Sequence, residues 1–234
     1  MLQRLFIATI VLSLLAVAPA AFAGSVTGTI VYDDRVPNLK PLRMDADPAC
    51  AAKHDSPVYP EILVLGDNNA LANVFVQVKN PPPGDYKPPS TPVVIDQVGC
   101  LYEPHVVGVM AGQTLQFKNS DGILHNVHGL PKENREFNIG MPASVTSKDQ
   151  VLNKPEPVFP VKCDVHPWMQ SYAAVMSHPF FAVSGKDGKF TIEDLPAGTY
   201  EISAWHERLG TQSSKVTVGD GAASADFTFK VPKK

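Results

Sequence analysis

Short stretches in which apolar and polar residues alternate recur along most of the chain. A period of two is typical of β-strands that bury one face. The stretches include Val26 to Tyr32, Val74 to Val78, Leu115 to Phe117 and Tyr200 to Ala204. Turn-forming residues separate them, and after residue 23 no helical period persists for three turns. The pattern therefore predicts an all-β protein, with antiparallel sandwiches favoured over α/β folds.

Proline is the residue type that departs most from ordinary composition. The 234 residues include 22 prolines and 16 glycines, so proline has nearly twice its usual frequency of roughly 5%. Six of these prolines fall in the thirteen residues 80–92, which predicts a stiff, extended connection and a candidate domain junction. The net charge is −3 and the chain has no block of like charges, which argues against binding to nucleic acid.

Residues 1–23 have the pattern of a secretory signal peptide. Arg4 precedes an apolar run from Leu5 to Val17, and Ala21-Phe22-Ala23 offers a small-x-small cleavage signal. The apolar run is shorter than the roughly 20 residues of a membrane-spanning helix. We therefore expect export to a bacterial periplasm, no membrane span once the peptide is removed, and conditions that permit disulfides.

Metal-ligating residue types concentrate in two short stretches. Cys163, His166 and Met169 follow one another at intervals of three residues, and His125 lies upstream on a separate predicted strand. A thiolate, two imidazoles and a weak thioether are the ligand set of a trigonal copper site with an axial methionine. A short loop between two strands can bring three of these groups to one ion while a neighbouring strand supplies the fourth.

At these residues the sequence resembles the cupredoxins, most closely the amicyanin and plastocyanin branch of blue copper proteins. The matching segments are Gly112 to Ser120, His125 to His128, and Cys163-Asp-Val-His-Pro-Trp-Met169. The resemblance implies one type 1 copper ion, with the ligands His125, Cys163, His166 and Met169. It also implies that Asn126 ties the ligand strand to the ligand loop.

The same resemblance makes a prediction for the rest of the ligand loop. His166, Pro167 and Trp168 are expected to form an exposed apolar patch for an electron partner, although plain packing of Trp168 is about equally expected. The sequence departs from the family pattern in two places. Asp164 stands where the family usually has serine or threonine, and the charge is expected to lower the reduction potential. The region from about 97 to 176 is also short for a cupredoxin, so some strands must come from elsewhere or be missing. His128, three residues after His125, is expected to face away from the metal.

A second resemblance surrounds the first. Asp187 to Glu207 looks like the end of a carboxypeptidase regulatory-like, or transthyretin-like, β-sandwich, and Gly28 to Asp33 and Ala72 to Val78 look like its opening strands. We therefore expect a cupredoxin-like Greek-key β-sandwich at 97–177, inserted in or packed with a transthyretin-like β-sandwich of residues 24–96 and 178–234. The role of the transthyretin-like part is expected to be structural or for docking.

The chain has three cysteines, so at least one of them cannot take part in an intramolecular disulfide. Cys163 must stay reduced if it binds copper, so a disulfide between Cys50 and Cys100 is expected in an oxidising compartment. Two free buried cysteines are the alternative, and a half metal site of Cys50 with His54 is a weaker one. The remaining histidines are expected to be structural rather than to form a second metal site; they are His54, His105, His178 and His206.

These features lead to three functional hypotheses. The first is a periplasmic electron carrier that exchanges single electrons with a c-type cytochrome or a periplasmic oxidoreductase. The second is a copper-binding or docking module for storage, delivery, or protein or carbohydrate interaction. The third is a copper oxidoreductase with a second, catalytic copper. Because serine hydrolase, Walker, zinc protease and haem-attachment motifs are absent from the sequence, a carrier rather than an enzyme is expected.

Overall fold

The protein is described from a computed structural model that covers residues 23–232. The predicted signal peptide falls, apart from Ala23, outside the described residues. Within them the chain is nearly all β, as the alternating pattern predicts. Seventeen strands are present in this part of the chain: β1 (Ala23–Tyr32), β2 (Phe75–Val78), β3 (Val93–Val98), β4 (Leu101–Glu103), β5 (Val106–Met110), β6 (Thr114–Asn119), β7 (His125–Gly129), β8 (Phe137–Met141), β9 (Ser147–Val151), β10 (Glu156–Lys162), β11 (Gln170–Met176), β12 (Phe181–Val183), β13 (Lys189–Pro196), β14 (Gly198–His206), β15 (Gly210–Val218), β16 (Ala222–Ser224) and β17 (Phe227–Phe229). Between residues 23 and 232, helical structure is confined to α1 (Pro48–Ala51) and to 3₁₀ turns at Met44–Ala46 and Asp67–Asn69.

Strands from the two ends of the described chain build one pair of sheets, which we call the outer sandwich. In one sheet β13, β1 and β16 are adjacent and β17 also pairs with β1, and in the other the order is β12-β2-β14-β15. The inward side chains form one apolar core that includes Ile30, Val76, Ile202 and Phe229. Both ends of the chain are therefore needed to complete this unit.

Strands from the middle of the chain build a second pair of sheets, the inner sandwich. Their orders are β4-β3-β6-β9 and β5-β11-β10-β7-β8. Alternation is clear in β6, where Leu115 and Phe117 are fully buried and join a core with Ile95 and Val161. Strand β3 begins at Val93 and pairs with β6, so residues 93–96 belong to the inner sandwich.

The proline-rich segment connects the two sandwiches, as expected. Residues 80–92 contain no strand and run from β2 of the outer sandwich to β3 of the inner one. The Tyr86 ring packs edge-on against Phe180 with a centroid separation of 5.3 Å, which holds this connection against the outer core. A small third cluster that includes Phe75, Val106 and Ala174 lies where the two sandwiches meet.

Three of the four sheets are mixed, which corrects the expectation of antiparallel sandwiches, whereas the sheet β12-β2-β14-β15 is wholly antiparallel. Strand β3 runs parallel to β6, β5 runs parallel to β11, and β1 runs parallel to both β16 and β17. The two strands of each pair are not consecutive in sequence, so the chain returns to the sheet in the same direction through a crossover. Residue alternation reports a buried face and carries no information about strand direction.

The predicted disulfide between Cys50 and Cys100 is confirmed, with a Cα–Cα distance of 5.6 Å. It attaches α1 to the turn between β3 and β4, and both cysteines lie in the inner core. Residues from the first part of the chain, including Met44, therefore pack with the inner sandwich. In the described residues, no helix is long and apolar enough to cross a membrane.

Candidate metal centre

The ligand loop runs from the end of β10 to the start of β11 and is closed by its own backbone. The amide of Cys163 donates to the carbonyl of Met169 at 3.2 Å, and the amide of Met169 donates to the carbonyl of His166 at 2.9 Å. The amide of His166 points at the Cys163 sulfur, with a separation of 3.4 Å. These bonds curl the loop so that the side chains of Cys163 and His166 turn inward.

The loop meets His125, the first residue of β7. The Nδ1 atoms of His125 and His166 are 2.9 Å apart, and Nδ1 of His166 is 3.8 Å from Sγ of Cys163. All three side chains are buried, and their potential ligand atoms lie within 4.8 Å of one another. Strand β7 and the ligand loop thus bring one thiol and two imidazoles together.

The separation between Cys163 and His166 is that expected of two ligand atoms that share one metal ion. Metal–sulfur and metal–nitrogen bonds of about 2.3 and 2.05 Å that meet at about 120° place the two ligand atoms about 3.8 Å apart. This is the distance between Sγ of Cys163 and Nδ1 of His166. The donor set, two imidazoles and a thiolate, suits copper. The residues therefore fit the ion that the sequence predicts.

The surroundings of Cys163 favour the thiolate form of its side chain. Burial would raise its pKa, but hydrogen bonds from His125 and from the backbone amides of Asn126, His166 and Val165 lower it to about 7. Burial would likewise lower the pKa of His125, yet the bonds to Asp121 and Cys163 raise it above its ordinary value. A metal ion bound by these groups would take the place of a proton, since metal ligands must be deprotonated.

A carboxylate holds the far nitrogen of each imidazole. Nε2 of His125 lies 2.9 Å from Oδ2 of Asp121, and Nε2 of His166 lies 3.0 Å from Oδ2 of Asp47. Because a carboxylate accepts, each Nε2 carries the hydrogen and Nδ1 is left to face the site. The two carboxylates therefore fix both the tautomer and the orientation of the rings.

Asp121 is itself held firmly. Its two oxygens accept from the amides of Gly99 and Cys100, each at 2.7 Å, and Lys53 pairs with it at 3.1 Å. Burial would raise the pKa of Asp121, but the bonds from His125, Cys100, Lys53 and Gly99 lower it to about 2. The same turn that carries the disulfide thus anchors the carboxylate behind His125.

Asn126 connects the strand of His125 with the ligand loop. Its Oδ1 accepts from the amides of Asp164 at 2.6 Å and Val165 at 3.4 Å, and its Nδ2 donates to Asn138 and Asp164. The Asp164 carboxylate also receives a bond from Nδ1 of His128 at 3.0 Å. Both ring nitrogens of His128 therefore have carboxylate partners, Asp164 and Glu136.

The other loop residues named from the sequence have different environments. Met169 is 1% exposed and packs in the inner core with Cys163. Pro167 is exposed, whereas Trp168 is half-buried, donates its Nε1 to the carbonyl of Cys100 at 3.1 Å and packs against the inner core.

The imidazole of His166 differs from the exposed edge expected beside a docking patch, because it is only 2% exposed. The carboxylate of Asp47 covers its Nε2, and the Trp168 ring lies beside it with a centroid separation of 5.1 Å. Asp47 caps α1, which the disulfide of Cys50 fastens to the inner sandwich. This segment, drawn from the first part of the chain, is what closes the site.

The four remaining histidines do not assemble into a metal site with one another. Among residues 23–232, none of them belongs to a group of three potential ligands within 4.8 Å. Their hydrogen-bond partners differ: His54 bonds to Gly99, His178 to Phe180, His206 to Arg208 and His105 to Glu207.

Sequence reasoning missed both carboxylates that hold the ligand histidines. Asp121 could have been suspected, because it precedes His125 by four residues in a turn that ends at Gly122. Asp47 offers a helix-capping signal before Pro48 and no signal that it reaches His166, 119 residues away. Its placement depends on the disulfide and on packing between distant parts of the chain.

No family model matches the chain, and no curated protein matches it in sequence. Solved structures with a similar fold over part of the chain include the oxidised state of an amicyanin mutant, 18% identical, which aligns with 43% of this chain and 98% of its own, with a TM-score of 0.33. A purple cupredoxin from Nitrosopumilus maritimus is 19% identical over 36% of this chain and 98% of its own, with a TM-score of 0.30. A copper-containing nitrite reductase from Thermus scotoductus SA-01 is 18% identical over 62% of this chain and 28% of its own, with a TM-score of 0.34.

Proposed function

We propose that this chain is a periplasmic type 1 copper protein that carries single electrons between redox partners. The observation that carries the proposal is the convergence of the Cys163 thiol with two imidazole Nδ1 atoms in a buried pocket. The pKa of about 7 for this thiol favours the thiolate, which is the form that binds a metal. Bound copper supplies one-electron chemistry by cycling between Cu(II) and Cu(I).

The contribution of the protein is to hold its ligands still. Asp47 and Asp121 fix the rings of His166 and His125, and the amide bonds of the loop hold Cys163. Met169, buried in the same core, is assigned as the weak axial ligand from the sequence pattern. Ligands that are fixed by the fold rearrange little when an electron is gained or lost, and small rearrangement favours rapid transfer.

The surroundings of the proposed function follow from the sequence. A signal peptide at residues 1–23 would direct the chain to the periplasm, and a c-type cytochrome or a periplasmic oxidoreductase would be its partner. We assign the inner sandwich, near 97–177, as a cupredoxin-like domain and the outer one as a transthyretin-like unit for docking or support. In this assignment the chain is a carrier without catalytic turnover of its own.

One observation favours a second candidate, a copper storage or delivery module. The Asp47 segment leaves His166 only 2% exposed, so an electron partner cannot touch the ring edge directly. Mixing the copper-loaded protein with a reduced c-type cytochrome separates the two functions. An electron carrier oxidises about one equivalent of cytochrome within the mixing time of a stopped-flow instrument, keeps its copper and can be reoxidised. Slow reduction that releases the copper would instead support the module.

A further inference from the structure

A second candidate site lies beside Trp168, in a cavity of about 100 Å³ between the inner and outer sandwiches. Apolar side chains form part of its wall, and the polar groups are contributed by Glu61, His105, Gln170 and Glu207. His105 and Glu207 are 5% and 6% exposed at their side chains, and Glu61 is 37% exposed. Two carboxylates and one imidazole thus line one cavity, and two of these three side chains are buried.

The two nitrogens of His105 have different surroundings. Nε2 lies 2.5 Å from Oε1 of Glu207, which accepts its hydrogen, and Glu207 is also bonded by the hydroxyl of Tyr172 at 3.1 Å. Nδ1 is buried and has no hydrogen-bond partner among the described residues. With the hydrogen on Nε2, Nδ1 presents a lone pair to the cavity. A buried acceptor without a partner is costly, so this atom calls for an explanation.

The carboxylate of Glu61 offers an explanation for this unpaired nitrogen. Oε2 of Glu61 lies 3.6 Å from Nδ1 of His105, too far for a hydrogen bond. Two ligand atoms that share an ion at bond lengths of about 2.05 Å, with an angle of about 110–120°, lie about 3.4–3.6 Å apart. A histidine whose other nitrogen donates to a carboxylate is also the usual arrangement around bound metals. Glu207, His105 and an ion would form such a triad.

We propose that His105 Nδ1 and Glu61 bind a second divalent transition-metal ion of the kind that imidazole and carboxylate hold, Zn²⁺ or Cu²⁺. Glu207 is a positioning residue that acts through Nε2 of His105. Burial raises the pKa of Glu61, and the neighbouring His105 opposes that rise. Among the described residues, the only ion-pair partner of either Glu61 or Glu207 is His105.

Two protein ligands leave coordination positions for water or a small exchangeable ligand. The second ion is therefore held more weakly than an ion at Cys163, His125 and His166. Trp168 lines the cavity and its ring contacts that of His166, so a single aromatic side chain separates the two sites. The proposal does not depend on electron transfer at the first site.

Zinc titration of the copper-loaded protein tests the proposal. After one equivalent of Cu²⁺ has been bound and excess removed, equilibrium dialysis against Zn²⁺ measures the second site, and the copper is retained because Cu²⁺ binds more tightly than Zn²⁺. We expect one zinc ion per chain in the natural protein and at least about tenfold weaker binding in Glu61→Gln. Glu207→Gln is expected to weaken zinc binding about 10–100-fold through loss of orientation.

The matched control is Glu103→Gln, which removes an exposed carboxylate that raises the pKa of Glu61 and does not line the cavity. Its zinc affinity should stay within about twofold. If the protein takes up no copper, the difference of one zinc ion between the natural chain and Glu61→Gln still tests the second site alone. Zinc binding that is absent, or that is equal in the natural protein and Glu61→Gln, would overturn the proposal.

Discussion

The carboxylate of Asp47 lies 3.0 Å from Nε2 of His166, across 119 residues of sequence. This contact covers the side of the imidazole that faces away from Cys163 and leaves Nδ1 to face His125. The hydrogen bond from His166 lowers the pKa of Asp47, so the carboxylate remains charged at neutral pH. A residue outside the ligand strands therefore decides how one ligand is presented.

Replacing Asp47 should weaken copper binding. Asp47→Ser keeps a residue that caps α1 but is too short to reach His166, so the ring loses the group that fixes its tautomer. We expect copper affinity to fall about 10–100-fold, as for other losses of a carboxylate behind a metal-bound histidine. Competition with a chelator of known affinity measures the change.

Asp45→Ser is the matched control, because Asp45 lies on the same segment and forms a surface ion pair with Arg43. Its copper affinity should equal that of the natural protein. Equal affinities in all three proteins would show that Asp47 does not orient His166.

Removing the disulfide should destabilise the inner sandwich. Cys50→Ser together with Cys100→Ser opens a link between residues 50 apart in sequence, which is expected to lower the free energy of unfolding by about 2–4 kcal/mol. Because the same link fastens the segment of Asp47, copper should also dissociate faster. Urea denaturation of the metal-free proteins measures the first effect, and an unchanged midpoint and slope would contradict it.

Loss of Asn126 should affect both the fold and the loop. Asn126→Ala removes the acceptor for the amides of Asp164 and Val165, so two backbone donors lose their partner. We expect a loss of about 2 kcal/mol in the free energy of unfolding and faster release of copper. Asn138→Ala is the comparison, since exposed Asn138 contacts Asn126 and Asp164 without accepting from the loop amides. Equal losses in the two variants would refute the distinction.

The buried His206 should make stability depend on pH in weak acid. Burial, the largest cause, lowers its folded-state pKa to about 4, against 6.5 for the exposed group. Between these values the unfolded chain binds a proton that the folded chain does not, so stability falls as the pH decreases from about 6.5 to 4.

The comparison of His206→Gln with the natural protein isolates this effect, because other titrating groups are common to both. The difference between their free energies of unfolding should change by roughly 2–3 kcal/mol between pH 7 and pH 4. Parallel pH profiles would contradict the assignment.

The sequence predicted local features better than long-range ones. Alternation located the strands around Val76, Phe117 and Ile202, since a period of two depends only on neighbouring residues. It did not reveal that β3 pairs in parallel with β6, because pairing direction depends on how the chain crosses between sheets. The disulfide was predictable only through the chemistry assigned to Cys163.

The candidate site shows the same division. Three of the four assigned ligands, Cys163, His166 and Met169, share one short sequence motif, and His125 could be named with them. The structure brings the side chains of His125, Cys163 and His166 together. Of the two carboxylates that orient the rings, Asp121 lies close to His125 in sequence, whereas nothing in the sequence around Asp47 points to His166. The sequence predicted that His166 is exposed, but the segment of Asp47 buries its ring. No local pattern shows which distant segment folds over a loop.

The visible absorption and paramagnetic-resonance spectrum of the copper-loaded protein tests the central claim most directly. A Cu(II) ion bound to the Cys163 thiolate should give an intense thiolate-to-copper visible band, which disappears on reduction and is absent from Cys163→Ser. In that variant the disulfide of Cys50 and Cys100 is kept, so loss of the band reports on Cys163 alone. A copper-loaded protein without this band, or an unchanged band in Cys163→Ser, would contradict the account.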